Sequence, residues 1–590
     1  MHRARGAAAL ALLIVALARP AAAATADDRL RALGNEYVSR WMDRDTHEAT
    51  DRAMDDADGE LRAVSGTTLA EDKARLLDLR ARLEAIPAAE LSEERAIERL
   101  LLAARIERRL LDAEVLRPFE RDPGAYLALI AGSVESVLES RAATSCRRLR
   151  LAAQRLAQVP EVLRAARINL RDPPRELTEI AIDRYAGVLR FYREGVRALA
   201  AGCRDARTQA DLAQADTAAV RATEDFLAYL RESLLPVSRG TLAIGPEGCR
   251  RLLRAQLCEE AETDAPAVEQ PIDSMLAVAR RLVDERRATL ETLAAGAAVD
   301  GAREALDALT AERPEAAELV PYVERRLGIV REFLRRHEVV SLPRRDLLRV
   351  REAKALRGLL SLTELEAAAE PATPRTQAWL ELTPPDSAWD EGRRQVHLAR
   401  FDRHSAELAA MHDGLPGLYL RGLALAGQRA RTRRALQGEW TAEEWAEYCE
   451  TMMIEEGYGE GDPGYRVAAA ARALRFAGRS YAALALHCGA MSVDQARTML
   501  EDRCLLDPDD AAREMRRVAV EPALMGYTAG AGRLLDLREE IRGRLGQRFR
   551  IRDFNDAVLR CGASPVGVVR ACVRRAAILA EGGAPFGAKR

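Results

Sequence analysis

The sequence predicts a mainly α protein with a few short β-strands. Three observations predict it. Ala, Leu and Arg dominate while aromatics make up only 4%, and these residues lose little side-chain freedom in a helix. Apolar residues recur at helical spacing along most of the chain. Candidate strands are confined to one Pro-rich stretch, between about 338 and 385.

The first segment reads as a cleavable signal peptide, residues 1–24. Arg3 and Arg5 open it, residues 7–18 (AAALALLIVALA) form a short apolar run, and Ala22-Ala23-Ala24 offers an A-x-A site. A membrane span needs about 20 apolar residues, more than this run supplies, and no later stretch comes close. No Cys follows the run, which argues against a lipid-modified N-terminus. The expected location is therefore outside the cytoplasm, in the periplasm or the medium.

The helices follow in order. Thr68 and Glu71 have capping-box spacing, and the helix after them carries Leu76, Leu79, Leu83 and Ile86 on one face, with Pro87 beyond. A second helix fits 92–116. A third follows Cys146, with Leu149, Ala153, Leu156 and Val159 in register, and ends at Pro160. Further helices fit 161–170, 175–201, 207–234, 246–259, 271–296, 302–312 and 315–337. The texture then changes. Val339–Leu342, Leu347–Val350 and Ala378–Leu382 are strand candidates among Pro371, Pro374, Pro384 and Pro385. Helices resume at about 396. The expected organisation is one helical domain over 25–580, with an N-terminal lobe over about 25–337 and a site-bearing lobe over about 338–580. The Gly-rich tail, 581–590, is expected to be disordered.

Without the signal peptide the chain carries 87 basic against 92 acidic residues, a net charge of −5. The signs alternate instead of forming blocks, so they read as solvated helix faces, and no nucleic-acid footprint is present. The nine cysteines are an odd number and include no CxxC. Cys249 and Cys258 fall in one helix, roughly 13 Å apart, too far for a bridge. No disulfide framework is expected.

The residues that could carry chemistry lie in the C-terminal third. His412-Asp413-Gly414-Leu415-Pro416-Gly417-Leu418-Tyr419 ends a helix. Thr441 and Glu444 form a capping box, and Glu443, Glu447 and Glu450 then share a face at i, i+4, i+7. Arg479 and His487 fall in one helix that stops at Gly489, and Ser492 with Gln495 caps the next. Arg517, Pro522, Tyr527 and Gly530 follow, then Asp553-Phe554-Asn555-Asp556.

On these motifs the chain resembles the bacterial proteins grouped as domain of unknown function 885 (DUF885), which are similar to helical zinc metallopeptidases. The family pattern HExxPGHH stands here as HDGLPGLY, EGWALYAE as EEWAEYCE, and RLVVDTGxH as RSYAALALH, ending at His487. RYxxxPGQAxSYxxG stands as RVAVEPALMGYTAG, and FHDxVLxxGxxPL as FNDAVLRCGASPV. Softer matches run through the earlier helices, so the resemblance covers nearly the whole mature chain. It implies a large helical, zincin-like architecture around a central cleft. It also implies a zinc site in which His412 and Glu443 would be metal ligands and position 413 the general base.

The departures fall on chemical positions. Asp413 replaces the general-base Glu and is one methylene shorter, Leu418 and Tyr419 replace both later histidines, Ala483 replaces Asp, and Asn555 replaces His. A catalytic zinc needs three protein ligands and an open position, and two remain, so no zinc cofactor is expected. Each residue also has a plainer reading: His412 a helix-end histidine, Glu443 an acid favoured by the helix dipole, Glu447 and Glu450 an exposed face. Arg479, His487 and Tyr527 would line the cleft and grip a peptide or other anionic group, or keep the fold. Cys488 as a thiol nucleophile is disfavoured, because its neighbour His487 points about 100° away. Three functions follow: an inactive relative that binds a peptide or protein ligand in the inherited cleft, a hydrolase with an altered ligand set, or a structural envelope protein.

Overall fold

The computed structural model describes residues 24–44, 59–139, 144–200, 203–258, 270–296, 301–353, 365–367, 377–386, 388–428, 430–437, 442–581 and 586. Residues 1–23 of the predicted signal peptide, Pro371, Pro374, the Thr441 cap and nearly all of the tail lie outside them. The fold is mainly α, as the composition and periodicity predict. Among the described residues no helix is long and apolar enough to cross a membrane.

The principal helices, numbered in chain order, group around three apolar cores. The first core joins α1 (Ala26–Arg44), α2 (Gly66–Glu84) and α3 (Glu93–Leu111) through Leu33, Leu79, Leu83, Leu101 and Ile106. The second joins α4 (Ser145–Asn169), α5 (Arg175–Arg190) and α6 (Ala206–Tyr229) around Tyr126, Leu156, Tyr185 and Phe226. The third and largest spans α7 (Gly245–Leu257), α8 (Ile272–Gly296), α9 (Leu319–His337) and most of the later helices, so one continuous core draws on both sides of residue 338.

Local chemistry explains most boundaries. Ser492 and Gln495 form the predicted capping box, and Gly489, at φ 86°, stops the preceding helix in the left-handed region. The start of α2 differs from expectation: Ser65, not Thr68, is the cap and accepts from Thr68 N, which sets the helix start at Gly66. Pro160 does not end α4. It forfeits one backbone hydrogen bond, but Leu156, Val159, Val162 and Leu163 on both sides of it are buried against the second core, and packing keeps the helix continuous. A second correction concerns cysteine. Cys146 and Cys203 form a disulfide across 57 residues because α4 and α6 pack together. Cys249 and Cys258 are unpaired, as expected.

The sheet has three strands in the order β1-β3-β2. β1 (Leu348–Glu352) runs parallel to β3 (Ala378–Leu382), and β2 (Leu365–Ala367) runs antiparallel to it. Sequence reasoning finds β3 at its boundaries and β1 within a residue or two, but not β2. Val339–Leu342 is not a strand. Its polar groups go to a helix instead: Asn555 donates to Val339 O, and Ser341 N and Oγ donate to Asp556. The sheet backs the turn that carries His412, with Leu348 against Gly414.

Candidate functional site

Five further helices carry the candidate residues: α10 (Arg403–Ala409), α11 (Leu418–Ala426), α12 (Ala442–Glu455), α13 (Pro463–Cys488) and α14 (Pro508–Val520). After α10 the chain makes a π-helical turn, Ala410–Gly414, that holds His412. Such turns reposition one side chain relative to a regular helix. The chain then doubles back through Pro416 and Gly417. A Cβ at 417 would lie 1.9 Å from the His412 carbonyl oxygen, so only glycine fits. Trp445 Nε1 donates to Pro416 O at 3.0 Å and ties this turn to the first turn of α12. Pro416, Gly417 and Trp445 thereby place His412 beside Glu443.

The imidazole, 5% exposed, sits between two carboxylates. Nε2 is 3.0 Å from Glu443 Oε2 and Nδ1 is 2.7 Å from Glu450 Oε1. Burial alone would lower its pKa, but the hydrogen bonds and charges of Glu443 and Glu450 push it up to about 10. His412 is therefore an imidazolium at neutral pH, and both ring nitrogens donate. Burial would likewise raise Glu443, and the opposing effects of His412, Arg517 and Arg479 hold it well below the usual carboxylate range.

A second row of charges faces the first. Arg472, Phe476 and Arg479 repeat at i, i+4, i+7 on α13, matching Glu443, Glu447 and Glu450 on α12. Arg472 makes a bidentate pair with Glu450, with both contacts at 2.7 Å. Arg479 makes another with Glu514 of α14, at 2.6 and 2.8 Å, and Arg479 and Arg517 bring Glu514 down to about 2 against its burial. Phe476 lies under both guanidinium groups and 5.5 Å from the His412 ring. Glu447 and Glu450 are thus buried, not an exposed face. Among the described residues the Glu447 carboxylate accepts one long hydrogen bond, of 3.5 Å, from Thr528. Its burial raises it to about 7, against Arg479 and His412.

The remaining candidates are placed as follows. Asp413 is half-buried and lies within electrostatic reach of Arg472. His487 is eight residues beyond Arg479, about 12 Å along α13, away from the His412 cluster. Its ring nitrogens meet the backbone carbonyls of Leu242 and Val518 at 2.9 and 2.8 Å, and burial holds its pKa below the ordinary value. Tyr527 donates to Glu521 at 2.7 Å, one residue before Thr528. The structure therefore brings together His412, Glu443 and Arg479, with Tyr527 at the margin, and leaves His487 apart. Sequence reasoning missed Arg472 and Glu514. Their signal was the Arg472-Arg475-Arg479 spacing, which complements the acidic spacing on α12.

The zinc set is not rebuilt by other residues. Tyr419 lies in the core and its hydroxyl accepts from Leu347 N, Ala483 is fully buried, and Asn555 bridges Tyr448 and Val339. Among the described residues no group of three His, Cys, Asp or Glu side chains is arranged to hold a metal ion. A ligating imidazole must present a lone pair, and in this arrangement both His412 nitrogens are engaged with carboxylates.

Two solved structures share the fold. One, described as a "putative lipoprotein of unknown function" from Shewanella oneidensis, matches at 20% identity with a TM-score of 0.73, covering 93% of this chain and 99% of that one. The other, a "putative lipoprotein" from Colwellia psychrerythraea, matches at 16% identity with a TM-score of 0.77, covering 94% and 100%. No curated protein matches. The family model described as "Bacterial protein of unknown function (DUF885)" matches residues 47–573, and the chain belongs to that family.

Proposed function

We propose that this is an exported, non-catalytic member of its family that binds a peptide or protein ligand where the His412 cluster meets solvent. The observation that carries the reading is the His412 ring held between Glu443 and Glu450, with a carboxylate oxygen 3.0 and 2.7 Å from its two nitrogens where the resemblance implies a metal. A zinc peptidase needs a ligating lone pair and a base placed to take a proton from water. Here His412 donates at both nitrogens, and Asp413 reaches about 1.5 Å less far than a Glu, when misplacement of about 1 Å can cost on the order of 10²-fold. Ligand binding is supported by the half-buried Asp413 and Arg517, which carry opposite charges at the edge of the buried cluster and suit the two ends of a peptide's charge pattern. Export is supported by the signal-peptide pattern and by the Cys146–Cys203 disulfide, which belongs to an oxidising compartment.

Elemental analysis of the purified mature protein, combined with a fluorogenic peptide panel with and without chelator, tests the reading. The expected result is no stoichiometric zinc and no cleavage, with binding of some panel peptides that Arg517→Ala weakens. Stoichiometric zinc with chelator-sensitive cleavage, abolished by His412→Ala, would establish the hydrolase instead. Absence of any peptide binding would leave the structural role.

A further inference from the structure

Two thiols stand together where the last two helices of the fold meet. α15 (Ile551–Arg560) is capped by Cys561, and α16 (Val566–Glu581) carries Cys572 in its second turn. The turn between the helices is fixed. Gln437 Nε2 donates to Cys561 O at 2.9 Å, Ser564 Oγ donates to the same carbonyl at 2.6 Å, and Gly562 takes φ 68°, in the left-handed region. Cys561 Sγ donates to Ala557 O at 3.3 Å and reaches Val569 O of α16 at 4.0 Å. A helical carbonyl points toward the amide four residues on, and side chains lean back toward the helix N-terminus. Val569 O therefore lies on the face that carries Cys572, and the two thiols share a hydrogen bond.

This pair differs from the other unpaired cysteines. Cys249, Cys449 and Cys504 are buried, and burial pushes each thiol up, which makes them inert. Cys561 and Cys572 are half-buried, and the charge of Arg433 acts on both. Arg433 stands one turn before Gln437, in the short helix Arg431–Leu436, and its Nε has no hydrogen-bond partner among the described residues. The hydrogen bond from Cys561, aided by Arg433, holds Cys572 below the ordinary thiol range against its burial, and the same bond raises Cys561. One sulfur is thus the better thiolate and the other its proton donor. The pair also lies at a seam, with Cys561 packed against the third core and Cys572 against the first.

We propose that Cys561 and Cys572 are a redox-active dithiol that closes to a second disulfide by exchange with an external disulfide. The Cys572 thiolate attacks one sulfur of that disulfide, forming a mixed disulfide and releasing the other sulfur as a thiolate. Cys561 then loses its proton to solvent and displaces the second thiolate from Cys572. The two cysteines give up two electrons and two protons, and the external disulfide is reduced to two thiols. Closure joins elements of the two cores with a covalent bond. The proposal is independent of the His412 cluster, because neither cysteine shares a hydrogen bond with it.

The test treats the full-length exported protein with mild reductant, removes it, and adds glutathione disulfide under native conditions, followed by alkylation and peptide mapping by mass spectrometry. The expected result is a peptide cross-linked through Cys561 and Cys572, with five free thiols left among the nine cysteines, where the Cys146–Cys203 disulfide alone leaves seven. Cys561→Ser should trap glutathione on Cys572 as a stable mixed disulfide. Cys572→Ser should take up glutathione on Cys561 at least roughly tenfold more slowly at pH 7, as the weaker thiolate implies. Arg433→Gln should slow closure several-fold while the circular dichroism spectrum is kept. Cys561 and Cys572 both recovered as alkylated thiols after prolonged exposure to glutathione disulfide, or each bridged to some other cysteine, would overturn the proposal. Equal rates of uptake in the two serine variants would do the same.

Discussion

Raising the pH from 7 to 9 should weaken the protein through one side chain, His412. Its folded pKa is pushed up to about 10, against an ordinary value of 6.5. A group whose pKa is raised by folding contributes its full stabilisation below the unfolded value and loses it as pH rises through the folded one. The full contribution below pH 6.5 is about 5 kcal/mol at most, at 1.36 kcal/mol per tenfold change in proton affinity, and roughly half of it is lost between pH 7 and 9. The depressed Glu443 is the same ion pair seen from its other end, so the two effects are not added. The direct assay is the imidazole carbon resonances of histidine-labelled protein, in which the seven histidines are few enough to assign by His412→Gln. The His412 resonance should titrate far above the ordinary range, and urea midpoints should fall from pH 7 to 9 more steeply in the parent than in His412→Gln. A His412 midpoint below pH 7, or the same slope in both proteins, would refute the imidazolium and with it the argument against a metal.

Three other outcomes are expected. Arg479→Met strips Glu514 of its bidentate partner inside the protein and should cost about 3–5 kcal/mol in urea unfolding, whereas the double variant with Glu514→Met should recover most of it. Cys146→Ser opens a loop of 57 residues and should cost about 4 kcal/mol by the chain-entropy relation, read as a lowered unfolding midpoint that reductant reproduces in the parent. Glu447, raised to about 7, stabilises most at low pH and loses that stabilisation as pH rises through 7, so Glu447→Gln should gain on the parent between pH 5 and 8, by about 3 kcal/mol at most.

The fold is legible in the sequence where a local rule and the tertiary packing agree. Ser492 and Gln495 cap their helix, Gly489 stops the one before it, and Ala378–Leu382 forms a buried strand because each of these is decided within a few residues. It is illegible where distant packing overrides a local rule. Pro160 should break a helix, but the apolar residues on both sides of it are claimed by the same core. Val339-Val340-Ser341-Leu342 has strand-like side chains, but its polar backbone groups are taken by Asn555 and Asp556, more than two hundred residues away. Cys146 and Cys203 carry no spacing signature, and only the packing of α4 against α6 makes them partners.

The site divides in the same way, and the division bears on function. Motif reasoning finds His412 and Glu443 as a pair, because Pro416, Gly417 and Trp445, which position them, persist along with them. It cannot see that the pair is closed by protons and arginines, since Arg472, Arg479 and Glu514 matter only once α12, α13 and α14 face one another. An acidic row alone on α12 would be a cation site. The same row facing Arg472 and Arg479 is a self-neutralised ladder, in which Glu450 and Glu514 are consumed by guanidinium groups and Glu443 by an imidazolium. Buried acids would be uncompensated unless such cations stood opposite, so the ladder accounts for how the fold keeps these carboxylates buried. It also leaves Glu447, whose carboxylate has only a long hydrogen bond from Thr528 among the described residues, as the acid of that row that no cation neutralises by direct contact.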